Sequence, residues 1–261
     1  MKLRFITTTF AILMACLSMK VSAWGPLGHD AVAYIAECNL TPKAKANIER
    51  YLGNLSIVYY ASWLDRVRPE EHYRHASRWH AFDVDSKGVY YPSRTRDAVE
   101  GVNKTLEQLR NHKNLSDSAV ADNIKILTHI VGDMHCPAHA FYTGYEQKKI
   151  TFKLRGREFT VHTFWDEGAL DQHKWNYIEY QHQLDRCTPE QIKAIAAGTP
   201  EDWANETGAI MTTTYDWFAN GGNYGKTPTL KYLLNADEIA HPQILKAGYR
   251  LARLFNEIFD Y

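Results

Sequence analysis

One segment, residues 117–135, constrains the fold of this chain more than any other. At about 100° per residue, Val120, Ile124, Leu127, Val131 and Met134 form one apolar stripe, while Ile126, His129, Ile130 and Asp133 fall on the opposite side. A helix that is apolar on both sides has to lie between neighbours, and this one carries His129 and Asp133 inward. Buried ionisable groups are costly unless they are paired or bound to a metal. The segment therefore demands a layered helical protein with a polar site inside it.

The rest of the chain supplies the layers. Thr41-Pro42, Thr188-Pro189 and Thr199-Pro200 each set an N-capping hydroxyl before a proline at the first helical position, and Thr188 adds Gln191 as a capping-box partner. Amphipathic stretches from about Arg94 to His112 and from Asp237 to Phe259 predict further helices, the last kinked at Pro242. Between Lys149 and Val161 the period changes to two around Arg155-Gly156-Arg157, which predicts one β-hairpin. No linker, repeat or low-complexity run divides the chain, so a single mostly α domain is expected over residues 24–261.

Residues 1–23 stand apart. Lys2 and Arg4 precede a mostly apolar run from Phe5 to Leu17, and Val21-Ser22-Ala23 is a small-residue cleavage signal, so the segment reads as a secretory signal peptide. A membrane anchor is the competing reading, but the run is well short of the ~20 residues a span needs. Export to a periplasm or the extracellular medium follows. The full chain balances 30 basic against 30 acidic residues; without Lys2, Arg4 and Lys20 it has 27 against 30, a net charge of −3. A basic nucleic-acid clamp is excluded, because binding phosphates by counterion release needs a Lys/Arg excess. Cys38, Cys136 and Cys187 enter an oxidising compartment as an odd set, allowing at most one intramolecular disulfide.

The candidate ligands recur with a pattern. His129 and Asp133 are four apart, and His162 and Asp166 repeat that spacing in VHTFWD. One such pair is usually a helix-surface ion pair, but two in apolar surroundings point to metal. His139 follows Pro137, which ends the preceding helix and turns the next ligand back. Asp65 in ASWLD and His80 in RWHAFD are again polar groups flanked by tryptophan and aliphatic residues. Cleavage after Ala23 frees the α-amine of Trp24, a borderline nitrogen donor that with its own carbonyl can chelate zinc, and His29 follows across a Gly-Pro turn. Imidazoles and carboxylates without thiolates suit zinc.

In this order WGPLGH, SWLDRVR, WHAFD, HIVGDMHCPAH and HTFWD resemble the zinc-dependent S1/P1 nuclease family, single-strand-preferring enzymes related in fold to bacterial zinc-dependent phospholipase C. The resemblance implies a mostly α-helical fold with a trinuclear zinc cluster in a cleft. It implies one zinc on Asp65, His80, His129 and Asp133, a second on His139, His162 and Asp166, and a third on the Trp24 amine and carbonyl with His29, bridged by Asp133. It further implies Asp65 and Arg68 as catalytic residues, Arg68 steadying the equatorial phosphate oxygens, and Asp83 as a base-edge contact. Implied substrates are single-stranded DNA and RNA, cut to 5′-phosphates, and 3′-nucleotides; no stable protein partner is implied, and the chain is expected to be a monomer. Three zincs bring about +6 against about −3 from three aspartates, so the metals replace the missing basic groove.

The sequence departs from the family pattern around the base. The aromatic residue often found after the zinc histidine is Ala81, a Gly-Gly-Asn stretch is replaced by residues 142–149, and an asparagine is replaced by Val161. Stacking supplies about 1–3 kcal/mol per base in single-strand binders, so Tyr142, Tyr145 and Phe164 are the candidates to restore it, each against an ordinary packing role. His135, His72, His75, His112, His173, His182 and His241 are left as packing or solvated side chains. Two other readings compete: a zinc phospholipase C, disfavoured by the closeness of His29 to Trp24 and by Asp166 in place of Glu, and a non-catalytic zinc-folded protein, disfavoured by the excess of ligands.

Overall fold

The computed structural model describes residues 24–142, 151–219 and 230–261, so the leader and Tyr145, Lys149 and Ile150 lie outside the described residues. Among the described residues ten α-helices build the layers: α1 Pro26–Cys38, α2 Pro42–Tyr51, α3 Trp63–Val67, α4 Ala98–Arg110, α5 Asp117–His135, α6 Val161–Thr163, α7 Tyr177–Leu184, α8 Pro189–Ile195, α9 Pro200–Ala219 and α10 Leu230–Phe259. The three Thr-Pro starts hold: Thr41 accepts from the Ala44 amide, and Thr188 and Gln191 close a capping box. At Thr199 the box partner is Asp202, whose carboxylate accepts from the Thr199 amide.

The α5 helix lies where its two-sided apolarity requires, packed among α1, α2, α4, α9 and α10, with His129 and Asp133 fully buried. Pro242 lies inside α10. Strands β4 (Thr151–Leu154) and β5 (Arg157–Thr160) form the expected hairpin, with Arg155 and Gly156 at φ of 50° and 80° in its two-residue turn.

A second small sheet was not foreseen. Its strand order is β2-β1-β3, with β1 (Phe82–Val84) antiparallel to β2 (Tyr90–Tyr91) and parallel to β3 (Ala140–Tyr142). Three-residue strands are too short for period-two patterning to reveal, yet the register Phe82↔Ala140 sets His80 beside His139. The His139 Nδ1–H donates to the His80 carbonyl.

Among the described residues no disulfide forms, within the bound of at most one: Cys38, Cys136 and Cys187 are free thiols. Cys136 is sealed in the core with its Sγ 3.9 Å from Asp166 Oδ1, and burial pushes its thiol pKa well up. Phe164 is also not a stacking residue; it is fully buried against Phe152, Phe159, Trp165 and Tyr232.

Candidate metal centre

Four separate pieces of chain deliver five candidate ligands to one interior region. His29 comes from the first turn of α1, Asp65 from α3, His80 from the end of a 3₁₀ segment (Glu71–His80), and His129 and Asp133 from α5. All five side chains are buried. Asp133 is their hub: Oδ1 lies 3.2 Å from His29 Nε2, and Oδ2 lies 2.9 Å from His80 Nδ1 and 3.3 Å from His129 Nε2. Asp65 adds its oxygens 3.7 Å from both His80 and His129. The approach of His29 depends on Gly132, where a Cβ would come within 3.0 Å of His29 Nδ1.

A second group assembles next to it. Pro137 opens a 3₁₀ turn ending at His139, and Cys136 is extended (φ −78°, ψ 120°) as a residue before proline must be. His162 sits in α6, whose start is closed by a Thr160–Thr163 capping box. Asp166 does not continue that helix as the spacing predicted. Phe164–Gly168 is a π-turn in which Ala169 N–H donates to the Phe164 carbonyl at 2.7 Å, while the Asp166 carbonyl is taken by Gly25 N–H at 2.5 Å. The diverted carbonyl gives the wider turn its physical reason, and it ties the chain beside Trp24 to the ligand loop. His162 Nε2 ends 3.6 Å from Asp166 Oδ2, and the His139 and His162 rings stack with centroids 5.0 Å apart.

Three buried sets therefore have ligand atoms within 4.8 Å of one another: His29, His129 and Asp133; Asp65, His80 and His129; and His139, His162 and Asp166. Fully buried Trp24 lies against Gly28, where a Cβ would approach the Trp24 Cβ to 2.6 Å. Hydrogen bonds to backbone carbonyls orient the rings: His129 Nδ1 to Ala61 at 2.8 Å and His162 Nδ1 to Ala138 at 3.1 Å. Such bonds point the other ring nitrogen at a metal and raise its basicity.

The site fits a cation on its own atoms. Both oxygens of Asp133, both nitrogens of His29, His139 Nε2 and Asp166 Oδ2 are shielded from solvent without an aligned hydrogen-bond partner. Orphans of this kind are rare in folded proteins and imply a missing partner. The electrostatics agree. Burial pushes the Asp133 carboxyl up, but His129, His29 and His80 outweigh it and hold it well below the usual range. Burial opposes charge on His129 too, yet Asp133 and Asp65 raise it to about 9. Burial lowers His139 to about 4 and raises Asp166 well above a normal carboxylate.

Arg68 lies at the edge of this region, with one guanidinium nitrogen 3.5 Å from Asp65 Oδ1. Asp83 stands outside the clusters on β1, and its Oδ1 accepts from Arg96 Nε at 2.9 Å. The Arg96 guanidinium lies 4.1 Å from the centre of the Phe141 ring, two residues past His139. Sequence reasoning missed both residues; only the strand register Asp83↔Phe141 brings them together. A cavity of about 880 Å³ opens beside Asp65 and Gly25, with Asp30, Glu37 and Glu167 in its wall and Tyr59 exposed at 66%. Its wall is acidic, so phosphate needs a cation at the floor.

The unassigned histidines divide. His135 uses both ring nitrogens, donating to Val131 O at 2.7 Å and meeting Arg250 at 2.8 Å. His72, His75 and His182 are exposed, but His112 is buried and stacked on Tyr261. His173 and His241 form a further group with Asp237.

The profile of the S1/P1 nuclease family matches residues 24–260 of the chain. Similar proteins include nuclease P1 of Penicillium citrinum, 27% identical over 90% of this chain and 97% of that protein. Nuclease S1 of Aspergillus oryzae is 23% identical over 90% and 92%, and endonuclease 4 of Arabidopsis thaliana 24% identical over 91% and 89%.

Proposed function

The chain belongs to the S1/P1 nuclease family and is a phosphodiester hydrolase, and from that premise we propose an exported, zinc-dependent endonuclease that cuts single-stranded DNA and RNA to 5′-phosphates and removes 3′-phosphates from nucleotides. The observation that carries this reading is the convergence of buried imidazole and carboxylate groups in two adjoining sets, within which atoms of His29, Asp133, His139 and Asp166 lack an aligned partner.

In this reading Asp65, His80, His129 and Asp133 would hold one zinc, His139, His162 and Asp166 a second, and His29 with the Trp24 amine and carbonyl a third, with Asp133 within reach of both His29 and His80. Bound zinc supplies Lewis acidity, lowering the pKa of a water to about 7 and offsetting phosphate charge. Asp65 orients the attacking water, and Arg68 beside it donates to the equatorial phosphate oxygens, where transition-state charge grows. Asp83 and Arg96 meet the base, and the guanidinium plane over Phe141 offers a stacking surface in place of the aromatic that Ala81 lacks. Tyr59 at the cavity mouth offers another.

Residues 1–23 are removed on export, which frees the Trp24 amine, and residues 24–261 act as one catalytic domain and as a monomer. The start of the family match at Trp24 supports that boundary. The test is hydrolysis of denatured DNA, RNA and phosphatidylcholine by the protein beginning at Trp24, with zinc content measured in parallel. Cleavage of both nucleic acids with close to three zincs per chain is expected. Zinc-loaded protein that cuts phosphatidylcholine alone, or nothing, overturns the proposal.

A further inference from the structure

A second group of metal-binding side chains lies away from the buried clusters. His173, Asp237 and His241 place one ligand atom each within 4.8 Å of one another. Asp237 and His241 are four apart on α10, so both project from one helix face. His173 arrives from another element, after the 3₁₀ segment Leu170–Gln172, and its Nε2 lies 3.1 Å from Asp237 Oδ2. Two ligands at zinc bond lengths of about 2.0–2.1 Å in a tetrahedron stand about 3.3 Å apart, so this pair already has a chelating separation.

The surroundings are built to hold these groups in place. Gln172 Nε2 reaches Asp237 Oδ1 and the Leu233 and Ala169 carbonyls, each at 3.3 Å, which fixes the carboxylate and leaves Oδ2 for His173. The His173 ring stacks on Trp175 at 4.3 Å, and His241 stacks on the same indole at 5.8 Å. Nε2 of His241 is shielded from solvent and has no hydrogen-bond partner. Lys174, the adjacent cation, is paired with Asp171 at 3.1 Å, so its charge is already matched. Against these, the His173 side chain keeps 33% of its surface exposed, which gives an ion a route in and leaves room for water as a fourth ligand.

We propose that His173, Asp237 and His241 form a separate binding site for a zinc-class divalent ion, which staples the segment after Leu170 to α10. Two imidazoles and one carboxylate are a zinc or nickel donor set rather than a calcium or magnesium one. His173 lies seven residues after Asp166, so the site is near in sequence to one of the buried candidate ligands.

The test uses the zinc-loaded protein with Zn²⁺ as the probe. After equilibration at matched free zinc and rapid desalting, elemental analysis is expected to find one equivalent fewer in His173→Ala/His241→Ala than in the parent. Nuclease activity should be unchanged, which separates this site from the buried clusters. Added zinc should raise the melting midpoint of the parent and leave that of the double variant unmoved. The single variant Gln172→Ala, which removes no ligand, should weaken zinc at this site about tenfold. Equal zinc content and equal zinc-dependent stabilisation in parent and double variant overturn the proposal. Should the double variant not fold, a Gln172→Ala protein with parental affinity for the extra equivalent overturns it too.

Discussion

The chain carries the same four-residue spacing of histidine and aspartate at 129/133 and 162/166, and the two copies behave in opposite ways. The first lies on a regular α-helix sealed among other helices, where three imidazoles surround Asp133 and favour its ionised form despite complete burial. The second lies across a π-turn, where the His162 ring at 3.6 Å does not offset burial and Asp166 is pushed toward its neutral form. Spacing alone therefore says which groups share a face and nothing about their charge. Charge follows from how many imidazoles the surrounding elements deliver, and α1 and the segment before β1 deliver His29 and His80 to Asp133, whereas Asp166 has His162 beside it.

The strongest way to break this contrast is to remove each carboxylate in turn. Asp133→Asn is expected to lower nuclease activity by about 10³-fold or more and to cost more than one zinc equivalent, because Asp133 touches two of the three ligand sets. Asp166→Asn should cost one equivalent and about 10²-fold. Equal losses in the two variants would show that Asp133 is no hub. The second test removes the metal. After chelation, Asp133→Asn should destabilise the fold by about 3 kcal/mol, since a partner of buried His129 is lost. Asp166→Asn should be neutral or stabilising, because burial works against the charged form of the carboxyl it replaces. Denaturant titration at pH 7 distinguishes the two outcomes, and a destabilised Asp166→Asn would contradict the electrostatic account. The smallest effect sharpens the comparison from the backbone side. Thr160→Ala removes the cap that starts α6 and should cost about 1 kcal/mol. It should speed zinc release from His139, His162 and Asp166 while leaving the Asp133 group untouched, as chelator-trapping kinetics would record.

Much of this was legible in the sequence because it depended on long or local signals. The placement of α5, the three Thr-Pro helix starts, the proline that turns the chain to His139 and the hairpin turn at Arg155-Gly156 all follow from periodicity, capping and backbone sterics. The candidate ligands could be picked out because imidazole and carboxylate in apolar context are expensive without a partner. What could not be read depended on contacts between distant segments. The β1–β3 pairing that sets His80 beside His139 involves three-residue strands, and the π-turn at Asp166 arises because Gly25 claims a carbonyl from another part of the chain. Arg96 over Phe141 and the His173–Asp237–His241 group are likewise products of tertiary register. The cysteines were legible only as a bound for a related reason: a cysteine count gives parity, whereas pairing needs adjacency, and Cys136 is sealed beside Asp166.

The wide turn also has a consequence for how this segment tolerates change over generations. A π-turn is a helix holding one residue more than the α ladder accommodates, so deleting any residue from Phe164–Gly168 would restore the tighter ladder. Everything on one side of the cut would then swing by about 100°. Asp166 looks toward the buried ligands and His173 toward α10, so a single deletion disconnects at least one of them. Half-buried Glu167 is the position with room for substitution, the other four being buried, and the length is locked as well: the segment can change at one letter and not in frame.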